Sequence, residues 1–123
     1  MLGNKDSEAK NNVSVRVRSG YKCFGSYNTF IGSEAGYRYT TGSRNVNIGS
    51  NTYGACKGND NTVVGLGANH TDGVNGILAI GNRTVSNKSN QIVIGTKNSD
   101  EVVIAGKIIH FNDDGTVTWE AAE

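Results

Sequence analysis

Asn45-Val46-Asn47-Ile48-Gly49 returns sixteen residues later as Asn61-Thr62-Val63-Val64-Gly65. The phrase has further copies on both sides. Asn12-Val13-Ser14-Val15-Arg16 and Asn28-Thr29-Phe30-Ile31-Gly32 precede it; Ile77-Leu78-Ala79-Ile80-Gly81 and Gln91-Ile92-Val93-Ile94-Gly95 follow. Successive starts are 16, 17, 16, 16 and 14 residues apart. A degenerate seventh copy is expected from Val102 to Gly106. Periods of this size are the mark of a stacked repeat, in which each unit supports only its neighbours.

The columns of the alignment carry the structural content. The second and fourth positions are Val13/Val15, Thr29/Ile31, Val46/Ile48, Thr62/Val64, Leu78/Ile80 and Ile92/Ile94, nearly all β-branched and two residues apart. That spacing places them on one face of a strand, and this face is expected to be the buried one. The middle column (Ser14, Phe30, Asn47, Val63, Ala79, Val93) is mixed and is expected to face less uniform surroundings. The fifth position is glycine in five of the six copies, which points to a turn with unusual backbone angles. Gly, Asn, Ser and Thr fill the intervening stretches, as turns require. No window spaces its apolar residues at three and four, so a helical repeat is not expected.

The expected fold is therefore all-β: a β-solenoid of the β-roll or β-helix kind, with coils of about 16 residues. Residues 1–11 are expected to be a partial first coil or an added start, 12–106 the repeat, and 107–123 a C-terminal β-hairpin cap. The hairpin rests on Lys107-Ile108-Ile109-His110-Phe111 and Thr116-Val117-Thr118-Trp119, joined through Asn112-Asp113-Asp114-Gly115. Such a cap would cover the open edge of the last coil. Only 36% of the 123 residues are hydrophobic, and there are 17 glycines, 16 asparagines and no proline. A coil this thin and this poor in apolar residues cannot shelter its own side chains. A homotrimer in which folding and assembly are inseparable is the expected state.

Charge and hydropathy narrow the function. The net charge is +1 and the pI about 7.8, without the basic excess of a nucleic-acid binder. No apolar run approaches the ~18 residues of a membrane span, and no signal peptide is visible at the start. Neither nucleic acid nor membrane insertion is expected.

The phrase resembles the head repeats of trimeric autotransporter adhesins, which read Asn-Ser-Val-Ala-Ile-Gly; Asn90-Gln91-Ile92-Val93-Ile94-Gly95 is nearest, and Arg44-Asn45-Val46-Asn47-Ile48-Gly49 shares its end. Similar repeats occur in bacteriophage tail fibres and tailspikes, where phrases like Asn28-Thr29-Phe30-Ile31-Gly32 and Ala35-Gly36-Tyr37 are common. The spacing of sixteen or seventeen favours the phage version over the shorter adhesin period. The segment from Gly106 to Trp119 looks like the closing segment of phage fibre proteins. In many of these a self-cleaving chaperone follows, and here it is expected to be absent or already removed. The resemblance implies the C-terminal part of a tail fibre or tailspike, located on the virion, serving trimerisation and recognition of a bacterial surface polysaccharide. The alternative owner is a trimeric adhesin on a bacterial surface, and a more distant one is a glycan depolymerase fragment with its site between chains.

Few residues are marked for chemistry. Tyr21 and Tyr37 fall at equivalent coil positions; Tyr53 lies sixteen further on but one place out of column, and Tyr39 is beside them. Outward-facing, this ladder is the candidate glycan contact; turned against itself, it is structural stacking. Cys23 and Cys56 share a column with Thr40 between them. Two coils at ~4.8 Å each set them about 9–10 Å apart, beyond the ~7 Å reach of a disulfide, so buried thiols are expected. His70 and His110 lack ligand spacing, His70 being expected in a solvated loop. Asp113-Asp114-Gly115 lacks the alternation of a calcium loop and reads as a turn. No hydrolase or nucleotide-binding phrase is present. No catalytic residue, metal or cofactor is assigned, and the chain is not expected to be an enzyme.

Overall fold

A computed structural model describes residues 9–38, 40–52, 57–99 and 101–122. The described chain is all-β, without a helix. Six strands, one per phrase copy, form a single parallel sheet: β1 (Val13–Val15), β2 (Thr29–Ile31), β3 (Val46–Ile48), β4 (Thr62–Val64), β6 (Leu78–Ile80) and β8 (Ile92–Ile94). Between them lie β5 (Asn69–His70) and β7 (Val85–Ser86), which pair on the opposite side of the roll. The register steps Val13, Thr29, Val46, Thr62, Leu78 and Ile92 onto one another, so each pairing advances one repeat. Five steps of ~4.8 Å stack the phrases into a rod of roughly 24 Å.

Inside and outside are reversed from expectation. The middle column is the buried one: Phe30 is 1% exposed, Val63 and Ala79 0%, Asn47 2%. The β-branched columns that were to face inward look out: Val15 is 48% exposed, Ile94 49% and Ile92 71%. The roll is too narrow to take two side chains from each strand. Its interior accepts one, and meets it from across the coil with a column of small residues, Ser19, Ala35, Thr52, Ala68 and Thr84, all buried. Phe30 fits only because Gly36 passes over it; a Cβ there would overlap the ring. The apolar interior is two small clusters, Cys23/Phe30/Ala35 and Val63/Ala68/Val74/Ile77/Ala79.

Asparagine does the work that apolar packing cannot. Each phrase-initial Asn grips the next coil at two points. Asn12, Asn28, Asn45 and Asn61 accept through Oδ1 from the backbone N–H of Asn28, Asn45, Asn61 and Ile77, at 2.7, 2.9, 3.0 and 3.2 Å. Their Nδ2 groups donate to the carbonyls of Gly25, Gly42, Gly58 and Val74 at 2.8–3.0 Å. Two residues upstream a second ladder runs the other way. The N–H groups of Ser26, Ser43, Asn59 and Asn75 donate to the side chains of Ser43, Asn59, Asn75 and Ser89. Close approach at these corners requires glycine: a Cβ on Gly42 would overlap the Gly58 carbonyl oxygen. The phrase glycine has the unusual backbone its column predicted, with φ of +129° at Gly49.

The C-terminal hairpin is present and larger than expected. β10 (Lys107–Phe111) pairs antiparallel with β11 (Val117–Ala121) and also with β9 (Glu101–Ile104). The stretch from Val102 to Gly106, expected as a seventh coil, instead contributes to this antiparallel strand and the turn after it. The three-stranded sheet thus starts within the range assigned to the repeat. It does not continue the parallel ladder, which ends at β8.

Candidate functional site

Tyr21 and Tyr37 leave the roll at matching corners of successive coils. Gly20 and Gly36 each adopt φ of +61°, and the Gly20 N–H donates to the Ala35 carbonyl at 2.9 Å. The repeated corner sets the two rings in register. Their centroids are 5.4 Å apart and their planes 15° from parallel. The equivalence read from the sequence holds, and the rings stack on each other. Tyr39 and Tyr53 lie outside the described residues.

Cations border the stack. Lys22 Nζ lies 5.6 Å from the Tyr21 ring centroid, and the Arg18 guanidinium 5.9 Å from that of Tyr37. Arg18 also pairs with Glu34 at 3.1 Å. Exposed contacts of this kind contribute ~0.5–1 kcal/mol each. Tyr21, Lys22, Tyr37 and Arg38 line a surface cleft of about 230 Å³. The tyrosines were expected here; the cations beside them were not. The signal was there: Gly20-Tyr21-Lys22 and Gly36-Tyr37-Arg38 repeat as Gly-Tyr-basic, sixteen residues apart.

A second surface is apolar. The outward columns of the parallel sheet form a stripe of Val13, Val15, Ile31, Ile48, Ile80, Ile92 and Ile94, each at least 37% exposed. The hairpin sheet offers a matching face. Pairing puts Ile109 opposite Trp119 and Phe111 opposite Val117, all on the side of Ile104 and Lys107. Trp119 is 68% exposed, with Lys107 Nζ 5.0 Å from its ring centroid. A groove of about 1060 Å³ separates this face from the end of the stripe, lined by Ile92 and Ile94 on one side and Ile104, Ile109 and Phe111 on the other.

The remaining candidates resolve individually. Cys23 is a buried free thiol, its Sγ 3.5 Å from the Gly25 carbonyl; burial pushes its pKa up. It bridges in parallel to Thr40, as the shared column requires, while Cys56 is outside the described residues. His70 is not solvated. It lies on β5, 4% exposed, with Nδ1 3.0 Å from the Thr71 carbonyl, and burial pushes its pKa down. The roll tucks it inside because β5 pairs with β7 and turns alternate side chains inward. His110 pairs with Glu120 on the hairpin surface at 3.0 Å. Asp114 closes the hairpin turn: its Oδ1 accepts from the Thr116 N–H at 2.8 Å and the Thr116 hydroxyl at 2.6 Å. These bonds hold its carboxyl below the usual range.

Among the described residues no three His, Cys, Asp or Glu side chains gather as a metal site, and no helix is long and apolar enough to cross a membrane. No family model matches the chain, nor does any curated protein or solved structure.

Proposed function

We propose that this chain is a trimerising shaft segment of a bacteriophage tail fibre or tailspike, carried on the virion, whose outer corners meet a polysaccharide of the bacterial surface. The observation that carries the assembly is the apolar stripe. A monomer would leave it in water along the whole sheet. Burying half-exposed aliphatic side chains of this size contributes about 1 kcal/mol or more each. The stripe has two columns per strand, and in a closed three-fold ring each chain has two neighbours. One column is available to each. The hairpin face and the groove beside it extend the same apolar surface to the C-terminal end, where three copies of Trp119 would close the shaft.

The phage assignment draws on the resemblance of the phrase, on its spacing of sixteen to seventeen over the first four steps, and on the terminal hairpin. The binding role draws on the outward Tyr corners, which lie on a different part of the coil from the stripe. Substitution tests the assembly. Ile48→Glu, in mid-stripe, is expected to abolish the trimer in light scattering, with or without loss of fold. A variant that keeps the wild-type mass and melting temperature would contradict the role given to the stripe. Purified protein is also expected to compete with its parent virion for adsorption to host cells; undiminished adsorption would contradict the binding role.

A further inference from the structure

We infer that the Tyr21/Tyr37 cleft takes an acidic sugar, a carboxylate-bearing unit of an anionic polysaccharide; this rests on the glycan-binding reading above and names its ligand class. Ring stacking is the usual way an aromatic residue holds a neutral sugar, and here that mode is largely spent. The facing sides of the two rings are turned to each other at 5.4 Å, and Lys22 and Arg18 lie over the rings. The stack instead presents its edges, its hydroxyls and a rim of cations. Lysine and arginine supply only donors, and carboxylates are their natural acceptors.

Charge distribution points the same way. The chain is nearly neutral overall, but residues 9–52 carry six basic residues against one acid, Glu34; two of the six are ion-paired, Arg18 with Glu34 and Arg44 with Asp60 of the next coil. Residues 100–123 reverse this, with six acids against Lys107. The positive field is therefore concentrated on the coils that bear the cleft. Fields of this kind concentrate anionic ligands and speed their capture. The cleft, at about 230 Å³, is smaller than a pocket for a whole small-molecule ligand, which usually starts near ~300 Å³. It suits one unit of a polymer lying along the surface. Three copies per assembly would add avidity on a long chain.

The test is titration calorimetry on the intact protein with short uronate and sialate oligosaccharides, which remove avidity, and with a neutral dextran of equal length. Acidic oligosaccharides are expected to bind, dextran at least tenfold more weakly. The double variant Lys22→Gln/Arg38→Gln is expected to lose tenfold or more, with unchanged mass and a melting temperature lowered by at most a few degrees through loss of the Lys22–Tyr21 contact. Removing two exposed cations that line neither the cleft nor the groove, Lys57→Gln/Lys88→Gln, is expected to change binding less than twofold. Preferential binding of dextran would overturn the ligand class and leave the glycan reading standing; binding of neither class would overturn both. Equal loss in both double variants, or equal binding of a short DNA duplex of matching charge, would overturn the site by reducing it to unspecific attraction.

Discussion

Asn45 shows how a chain with little apolar material holds a fold. Its side chain accepts from the Asn61 N–H at 3.0 Å and donates to the Gly58 carbonyl at 2.9 Å, and all of this is buried. Asn45→Ala strands a buried backbone donor and acceptor. Each such group costs ~1–3 kcal/mol, so a loss of about 2–6 kcal/mol is expected in denaturant melts. An exposed asparagine such as Asn87 is expected to lose almost nothing on the same change. His70 gives a pH signature. Burial holds its folded-state pKa below the ordinary value of about 6.5. The unfolded chain therefore takes up the proton first as pH falls. Stability from this residue is fully present above about pH 6.5 and declines toward the lower folded pKa. The melting temperature is expected to drop between pH 7.5 and 5, and His70→Gln to flatten that drop; an unchanged pH profile in the variant would contradict the buried neutral imidazole.

At the scale of the element, coils are interchangeable units. Asn61 bonds the Ile77 N–H much as Asn45 bonds that of Asn61. Removing residues 61–76, one whole coil, brings Asn45 to Ile77 in the same relation. This deletion is expected to keep a cooperative β-type melt, lowered by several degrees. Removing only 61–68 breaks the register and is expected to unfold the chain; circular dichroism distinguishes the two. The strands, their order and their spacing were legible in the sequence because period-2 alternation and a fixed repeat leave one parallel register. Which face is inside was not. Val46 and Ile48 are more apolar than Asn47, and hydrophobicity alone sends them inward, yet coil width decides the matter. The narrow interior favours a single residue per strand; at Asn47 the amide is half satisfied, Nδ2 reaching the Thr52 carbonyl at 3.1 Å while Oδ1 is buried without a hydrogen-bond partner. The better signal was the small-residue column from Ser19 to Thr84. The Asn ladder was equally visible as a recurrent phrase start, but composition suggested turns rather than buried clamps. The tyrosine pair was legible from its spacing, while the cations beside it were hidden by a net charge near zero.

For the whole molecule the outward Val and Ile columns are the central fact. They join the hairpin face across a groove and make one apolar surface along the rod. In the proposed assembly this surface is the contact between three parallel copies, and the coil is stable because the contact forms. Sedimentation equilibrium of the purified wild-type chain, over a wide concentration range, tests this most directly. Three copies of the 13.0 kDa chain are expected to sediment as a species of about 39 kDa throughout the folded range. A species of 13.0 kDa that still melts cooperatively would contradict it.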